Sequence, residues 1–247
     1  MMQRLSPASN SDSVASGPVD LAEAYAYPAE GAWLRANMIS TLDGAAWSLE
    51  GRSGGLGNEA DRQLFSLMRG LADVVIAGAG TARVEGYGPV APGPGWEELR
   101  AGRTAVPPLA IVSRRLELDL GGPLFTDADP PTILLTVEDA PADRLQLAQE
   151  VADVIIAGEH AVDFAMAVKQ LEARGHRRLL CEGGPHVLAQ MVEAGVLDEL
   201  CLTLSPMMLS GMASRILNGT TLAAPSNMKL GQVLEEEGYL FMRYCKT

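Results

Sequence analysis

The sequence predicts an α/β protein with a mixed sheet, mostly parallel with an antiparallel C-terminal strand pair, flanked by helices. Three observations predict it. Two short apolar runs, residues 73–77 (DVVIA) and 179–181 (LLC), each stop at a glycine turn that leads into a helical pattern. Apolar runs bounded by turn signals read as strands buried on both faces of a parallel sheet. Residues 229–234 and 239–244 flank Glu237-Gly238 as the arms of a hairpin. A chain of 247 residues, 47% of them hydrophobic, has room for one large core, and neither a second core nor an internal repeat is visible.

In chain order, residues 1–28 read as an N-terminal arm and residues 29–247 as the domain. The first twenty are rich in Ser, Ala, Asn, Asp and Pro, too polar to repay the entropy of ordering, so a disordered or draped arm is expected. Tyr25, Tyr27 and Pro28 pin its end, because aromatic residues in a linker find apolar surface. Residues 33–41 form the first central strand and end at the turn signal Leu42-Asp43-Gly44. Residues 51–57 (GRSGGLG) read as a mobile loop. Asn58 then caps a helix to Leu71, whose apolar face is Leu64, Leu67, Met68 and Leu71. Asp61 lies in its first turn, where the helix dipole already favours an acid.

The strand at residues 73–77 ends at Gly78-Ala79-Gly80-Thr81. Residues 86–108, with repeated Gly and Pro, are read as a long irregular loop of the lid or binding kind. The strand at residues 109–112 ends at Ser113-Arg114-Arg115, where a hydroxyl and guanidinium groups suit a phosphate monoester; solvated surface arginines are the alternative. Short strands follow at 132–135 and 154–157, separated by a polar-apolar pattern over 142–150. Asp163 caps a helix to Arg174 that Gly175 closes. The strand at 179–181 ends at Glu182-Gly183-Gly184-Pro185, with Pro185 in the first turn of the next helix, and residues 199–204 are another buried strand.

Two strand-glycine-helix junctions are the main chemical signal. Glycine lets backbone approach a ligand closely, and a helix N-terminus offers unpaired N–H groups to an anion. Side by side at the carboxyl ends of neighbouring strands, the pair could grip a dinucleotide pyrophosphate; each alone is also an ordinary tight turn. Neither has the G-x-G-x-x-G spacing of a Rossmann fingerprint.

Composition excludes several classes. A net charge of −12 and a pI near 4.7 argue against a nucleic-acid surface. No apolar run is long enough for a membrane span, and residues 1–20 lack the apolar core of a signal peptide. Cys181, Cys201 and Cys245 are an odd set without a C-x-x-C pair, which fits free thiols in the reducing cytoplasm. His160, His176 and His186 lie away from ligand-spaced partners, so no metal site is expected.

Three blocks carry a family resemblance: residues 33–44 (WLRANMISTLDG), 72–81 (ADVVIAGAGT) and 180–206 (LCEGGPHVLAQMVEAGVLDELCLTLSP). In this order and spacing they resemble the C-terminal reductase domain of the RibD family, which has a dihydrofolate-reductase-like fold. The opening block and the ending GYLFMRYCKT are most similar to stand-alone actinobacterial RibD-like reductases. The resemblance implies NADPH as cofactor, held by Ser40, Gly78, Gly80, Thr81, Ser113, Arg114, Gly183, Gly184, Pro185 and Val187, with Ser113 and Arg114 near the 2′-phosphate. It implies a small heterocyclic substrate, a riboflavin-pathway ribosylamino-pyrimidine of the 5-amino-6-(5-phosphoribosylamino)uracil type; Asn37, Asp61 and Glu182 are placed so that they could converge on it, the alternatives being that Glu182 only ties down the glycine turn and Asp61 only caps its helix. Reduction of dihydrofolate or another pterin, and non-catalytic NADPH binding, are the alternatives. A homodimer paired through a sheet edge is also implied. The deaminase half of full-length RibD proteins needs H-x-E and P-C-x-x-C, and neither occurs here. Two departures stand out: asparagine at position 37, where many family members have lysine, and Glu85-Gly86-Tyr87-Gly88-Pro89, where an acidic residue and D/N-P-x-L-T are typical.

Overall fold

The computed structural model describes residues 2–6 and 19–247. Its strands are β1 (Gln3–Ser6), β2 (Trp33–Thr41), β3 (Val74–Gly78), β4 (Leu109–Val112), β5 (Ile133–Thr136), β6 (Asp153–Ile156), β7 (Arg178–Cys181), β8 (Glu199–Ser205), β9 (Met228–Glu236) and β10 (Tyr239–Lys246). The helices are α1 (Leu21–Ala24), α2 (Glu59–Leu71), α3 (Ala79–Glu85), α4 (Trp96–Leu99), α5 (Pro123–Thr126), α6 (Ala142–Val151), α7 (Phe164–Ala173) and α8 (Pro185–Glu193). All strands join one sheet in the order β1-β9-β10-β8-β2-β7-β3-β4-β5-β6. From β8 to β6 every pairing is parallel. From β8 through β10 and β9 to β1 every pairing is antiparallel. This is the mixed sheet the sequence predicts.

The period-two alternation of each strand sorts its side chains onto two cores. In β3, Val75 and Ala77 pack with Leu64 and Met68 of α2, while Val74 and Ile76 pack with Phe164 and Leu171 of α7 and Leu188 and Met191 of α8. Fully burying one such Leu, Ile or Phe side chain is worth roughly 1.5–3 kcal/mol. Helices cover both faces of the parallel part, so β3 is buried along its whole length. The caps follow the sequence: the Asn58 side chain accepts from Asp61 N, and that of Asp163 from Met166 N. No helix among the described residues is long and apolar enough to cross a membrane.

Three expectations need correction. Within the predicted arm, residues 3–6 are an ordered edge strand on β9, and Tyr25 is wholly buried, as the expected pinning requires; residues 7–18 lie outside the described residues. The pinning by Tyr27 takes the form of a hydrogen bond from its hydroxyl to the Leu179 carbonyl. The loop over 86–108 contains the single turn α4, and its Arg100 and Arg103 donate to the last carbonyls of α2, at Gly70, Leu71 and Ala72. Cations belong at a helix C-terminus, so Arg100 and Arg103 make this part of the loop a cap for α2 and not a lid. The glycine-rich loop at 51–57 is tied down as well. Ser53 donates through both N and Oγ to Glu85 Oε1, Leu56 is fully buried, and the Leu56 carbonyl accepts from Tyr239 Oη.

Candidate active site

The two glycine junctions lie on neighbouring strands. β3 pairs with β7 from Val74↔Leu179 to Ile76↔Cys181, and beyond the ladder Gly78 N donates to Gly183 O at 2.8 Å. Gly183 has φ +90°, which glycine alone adopts freely, and a Cβ at Gly184 would overlap the Thr81 hydroxyl on α3. A Cβ at Gly80, by contrast, would meet nothing within 4 Å, so an open groove borders the contact. Neither α3 nor α8 has a side-chain N-cap. Their first-turn N–H groups, those of Ala79, Gly80 and Thr81 and of His186 and Val187, are left without helical acceptors. Pro185 opens α8 where no N–H is needed. The Val187 side chain packs against Gly78, with a methyl 3.0 Å from where a Cβ would stand, leaving its backbone as the part available to a ligand.

Ser113 and Arg114 follow β4, whose Val112 pairs with Gly78, so they flank the same cradle. Ser113 is buried, while Arg114 is exposed and in no ion pair among the described residues; Arg115 pairs with Glu117 at 3.7 Å. Ser40 is buried and donates to the Thr41 carbonyl, and it does not line the cavity below.

That cavity, about 270 Å³, is lined by all three predicted substrate-side residues, Asn37, Asp61 and Glu182, with Phe65, Thr81 and Tyr87 among its other walls. Thr81 belongs to both the cradle and the cavity. The two carboxylates differ in kind. Asp61 is half-buried, and burial pushes its pKa up, opposed by a hydrogen bond with Thr203 and by Arg62. Glu182 is fully engaged. Arg69 grips it with Nε to Oε1 and Nη2 to Oε2, both at 2.7 Å, and Tyr87 Oη donates to Oε2 at 2.6 Å. Phe65 and Tyr87 rings lie 4.5 and 5.3 Å from the Arg69 guanidinium. Burial and the Glu182 charge raise the Tyr87 pKa, so the phenol stays a neutral donor. Glu182 therefore lines the pocket with both carboxylate oxygens already bonded.

Sequence reasoning missed Arg69, Tyr87, Phe65 and Thr203. Phe65 and Arg69 share with Asp61 a face of α2 at i, i+4 and i+8, a pattern legible in the sequence but hidden because a basic residue in a last turn already suits the dipole.

Comparison with known proteins identifies the family. The family model described as RibD C-terminal domain matches residues 32–235. A 2,5-diamino-6-ribosylamino-4(3H)-pyrimidinone 5′-phosphate reductase of Methanothermobacter thermautotrophicus is 32% identical over 89 residues, 36% of this chain and 41% of that protein. The chain thus matches less than half the length of that relative. A protein of the same name from Archaeoglobus fulgidus is 23% identical over 180 residues, 72% of this chain and 82% of that one. A pyrimidine reductase-like protein of Corynebacterium diphtheriae superposes with a TM-score of 0.79 at 30% identity, covering 87% of this chain and 92% of that one. With its family model spanning most of the sequence and its two glycine junctions meeting beside one pocket, the chain belongs to the RibD C-terminal domain family.

Proposed function

We propose that this protein is an NADPH-dependent reductase of a ribosylamino-pyrimidine phosphate in riboflavin biosynthesis, acting in the cytoplasm. The observation that carries the reading is the pair of adjoining glycine junctions opening onto a cavity lined by a half-buried carboxylate, that of Asp61. The cradle fits a dinucleotide: two uncapped helix starts border it, and the open space at Gly80 leaves its backbone free of a Cβ. In this reading Gly78, Gly80, Thr81, Gly183, Gly184 and Val187 hold the pyrophosphate through backbone, with Pro185 shaping the turn and Ser40 supporting the end of β2. Ser113 and Arg114 take the 2′-phosphate. When bound, a reduced nicotinamide supplies a hydride. The residues of the chain orient the acceptor, exclude water from the cavity and deliver the proton that must accompany the hydride at an imine nitrogen.

Asn37 and Asp61 address the ring. A carboxylate accepts two N–H donors side by side, which a 2-amino-4-oxopyrimidine offers through its exocyclic amine and ring N–H; a 2-oxo ring would set a carbonyl against it. The relatives named above are named for the 2,5-diamino form, and Asp61 favours that form over the uracil. NADPH oxidation with each ring form tests this. The 2-amino form is expected to be favoured at least about tenfold, the cost of an unmatched buried polar pair. No oxidation with either form, or oxidation with dihydrofolate alone, would overturn the reading.

Two further expectations follow. Arg114→Ala should weaken NADPH by roughly tenfold, one charge-assisted contact, and leave NADH unaffected; equal weakening of both cofactors would remove the 2′-phosphate assignment. The edge strand β6 leaves one ladder unpaired and half-exposes Ile156, so we place a homodimer contact at a sheet edge. Sedimentation at micromolar concentration should give a dimer, and a monomer would count against it.

A further inference from the structure

We propose that Arg69 and Tyr87 are positioning residues that hold the cofactor cradle in register with the substrate cavity by clamping Glu182; this rests on the cofactor reading above. Glu182 is one peptide bond from Gly183, so whatever fixes its side chain fixes the start of the glycine turn. Its backbone N donates to Ile76 O of β3, and its side chain is 2% exposed with both oxygens bonded. The two clamp residues come from different elements. Arg69 is in the last turn of α2, the helix that carries Asp61, and Tyr87 follows the C-terminus of α3, the helix that begins at the other glycine junction.

The Tyr87–Glu182 bond therefore closes a ring across the cradle. On one side run Gly78, α3 and Tyr87; on the other run Glu182, Gly183 and Gly184. The Gly78 N to Gly183 O bond joins them at one end and the Tyr87 bond at the other. The planar fork of Arg69, within cation–π distance of the Phe65 and Tyr87 rings, sets the angle of the Glu182 carboxylate and with it the distance from α2 to the turn. Tyr87 and Glu182 also line the cavity, so a molecule there rests on two of the three clamped side chains that set the turn. Occupancy of one half-site is then felt by the other through a continuous set of contacts, and by linkage the effect is reciprocal.

The test is NADPH affinity and melting temperature, measured on the full chain for the wild type and four variants. Gly184→Val reports on the cradle itself. Tyr87→Phe removes only the hydroxyl, and Arg69→Lys keeps the charge but loses the fork. Glu199→Gln lowers stability at a place remote from the cradle. Tyr87→Phe and Arg69→Lys are expected to weaken NADPH by about fivefold or more, the scale of coupling through an intervening residue, while Glu199→Gln leaves it unchanged. If the wild type binds NADPH and Gly184→Val does not, but Tyr87→Phe and Arg69→Lys keep the wild-type affinity, the clamp is wrong and the cofactor reading stands. If Glu199→Gln weakens NADPH as much as Arg69→Lys does, the effect is general loosening and the clamp is again wrong. If the wild type fails to bind NADPH, or Gly184→Val binds it as well, the cofactor reading falls and takes the inference with it.

Discussion

Asp61→Asn is expected to lower turnover by roughly a hundredfold while leaving NADPH affinity unchanged, the scale for an acceptor held out of position. Asp61 lines the cavity beside Asn37 and stands apart from the two glycine junctions, so its loss should register in chemistry and not in cofactor binding. The pH dependence follows from the raised pKa. To accept the ring N–H donors Asp61 must be ionised, so wild-type turnover rises as pH rises through the raised value, and the asparagine variant should lack that limb. Stability moves in the opposite sense to activity. The stability linked to Asp61 is fully present below the ordinary carboxylate pKa and declines as pH rises through the folded value, where a desolvated charge must be carried. Above it the variant carries no charge and should melt at or above the wild type. Parallel kinetics and calorimetry across pH check both limbs. Unchanged turnover would return Asp61 to the plain role of a first-turn acid on α2.

Glu199→Ala is expected to cost about 3–5 kcal/mol of stability, the scale for leaving a buried cation without its partner. Glu199 and Arg35 are both wholly buried, joined by Arg35 Nε to Oε1 at 2.9 Å and Nη2 to Oε2 at 3.2 Å. Trp33 Nε1 donates to the same carboxylate at 2.7 Å, and Arg243 stands 3.1 Å from it. Arg35 continues to the Tyr25 carbonyl and lies over the Tyr27 ring at 4.1 Å, while Arg243 donates to the Ala24 carbonyl. Removing the carboxylate strands two guanidinium groups and frees the segment around α1. For a chain of this size the loss corresponds to roughly 10 °C in melting temperature. Glu199→Gln should retain most of the defect, because shape is kept and charge is lost. A cost under about 1 kcal/mol in urea unfolding would mean that Arg35 finds another counter-charge.

What could be read from the sequence was what local pattern determines. β2 and β4 coincide with the predicted runs, the Asn58 and Asp163 caps are formed, and the two glycine junctions open α3 and α8. Each is a matter of near neighbours: apolar alternation, a capping side chain, a residue with φ > 0. The convergence of Asn37, Asp61 and Glu182 on one cavity was also anticipated, through the family resemblance. The clamp on Glu182 was not, because Arg69 and Glu182 are 113 residues apart and only the sheet order brings them together. The edge strand β1 escaped for a related reason. Four residues with one strongly apolar side chain carry no periodicity, and the partner ladder on β9 supplies the order. The Gly- and Pro-rich loop misled in the other direction, since the fork geometry of Arg100 and Arg103 on α2 carbonyls outweighs a composition that favours irregular backbone.

The position of β2 in the sheet dictates when the protein can fold. Its neighbours are β7 and β8, so Trp33 waits for Arg178 and Arg35 for Glu199 before the centre of the sheet can close. During synthesis β3, β4, β5 and β6 emerge and can pair in order, while an apolar strand made earlier stays open until the last third of the chain has left the ribosome. The nascent chain is thus exposed to aggregation through an unpaired strand for most of its synthesis. A circular permutant beginning in the turn before α7 would deliver β7, β8 and the hairpin before β2 and shorten that interval, with the same final contacts.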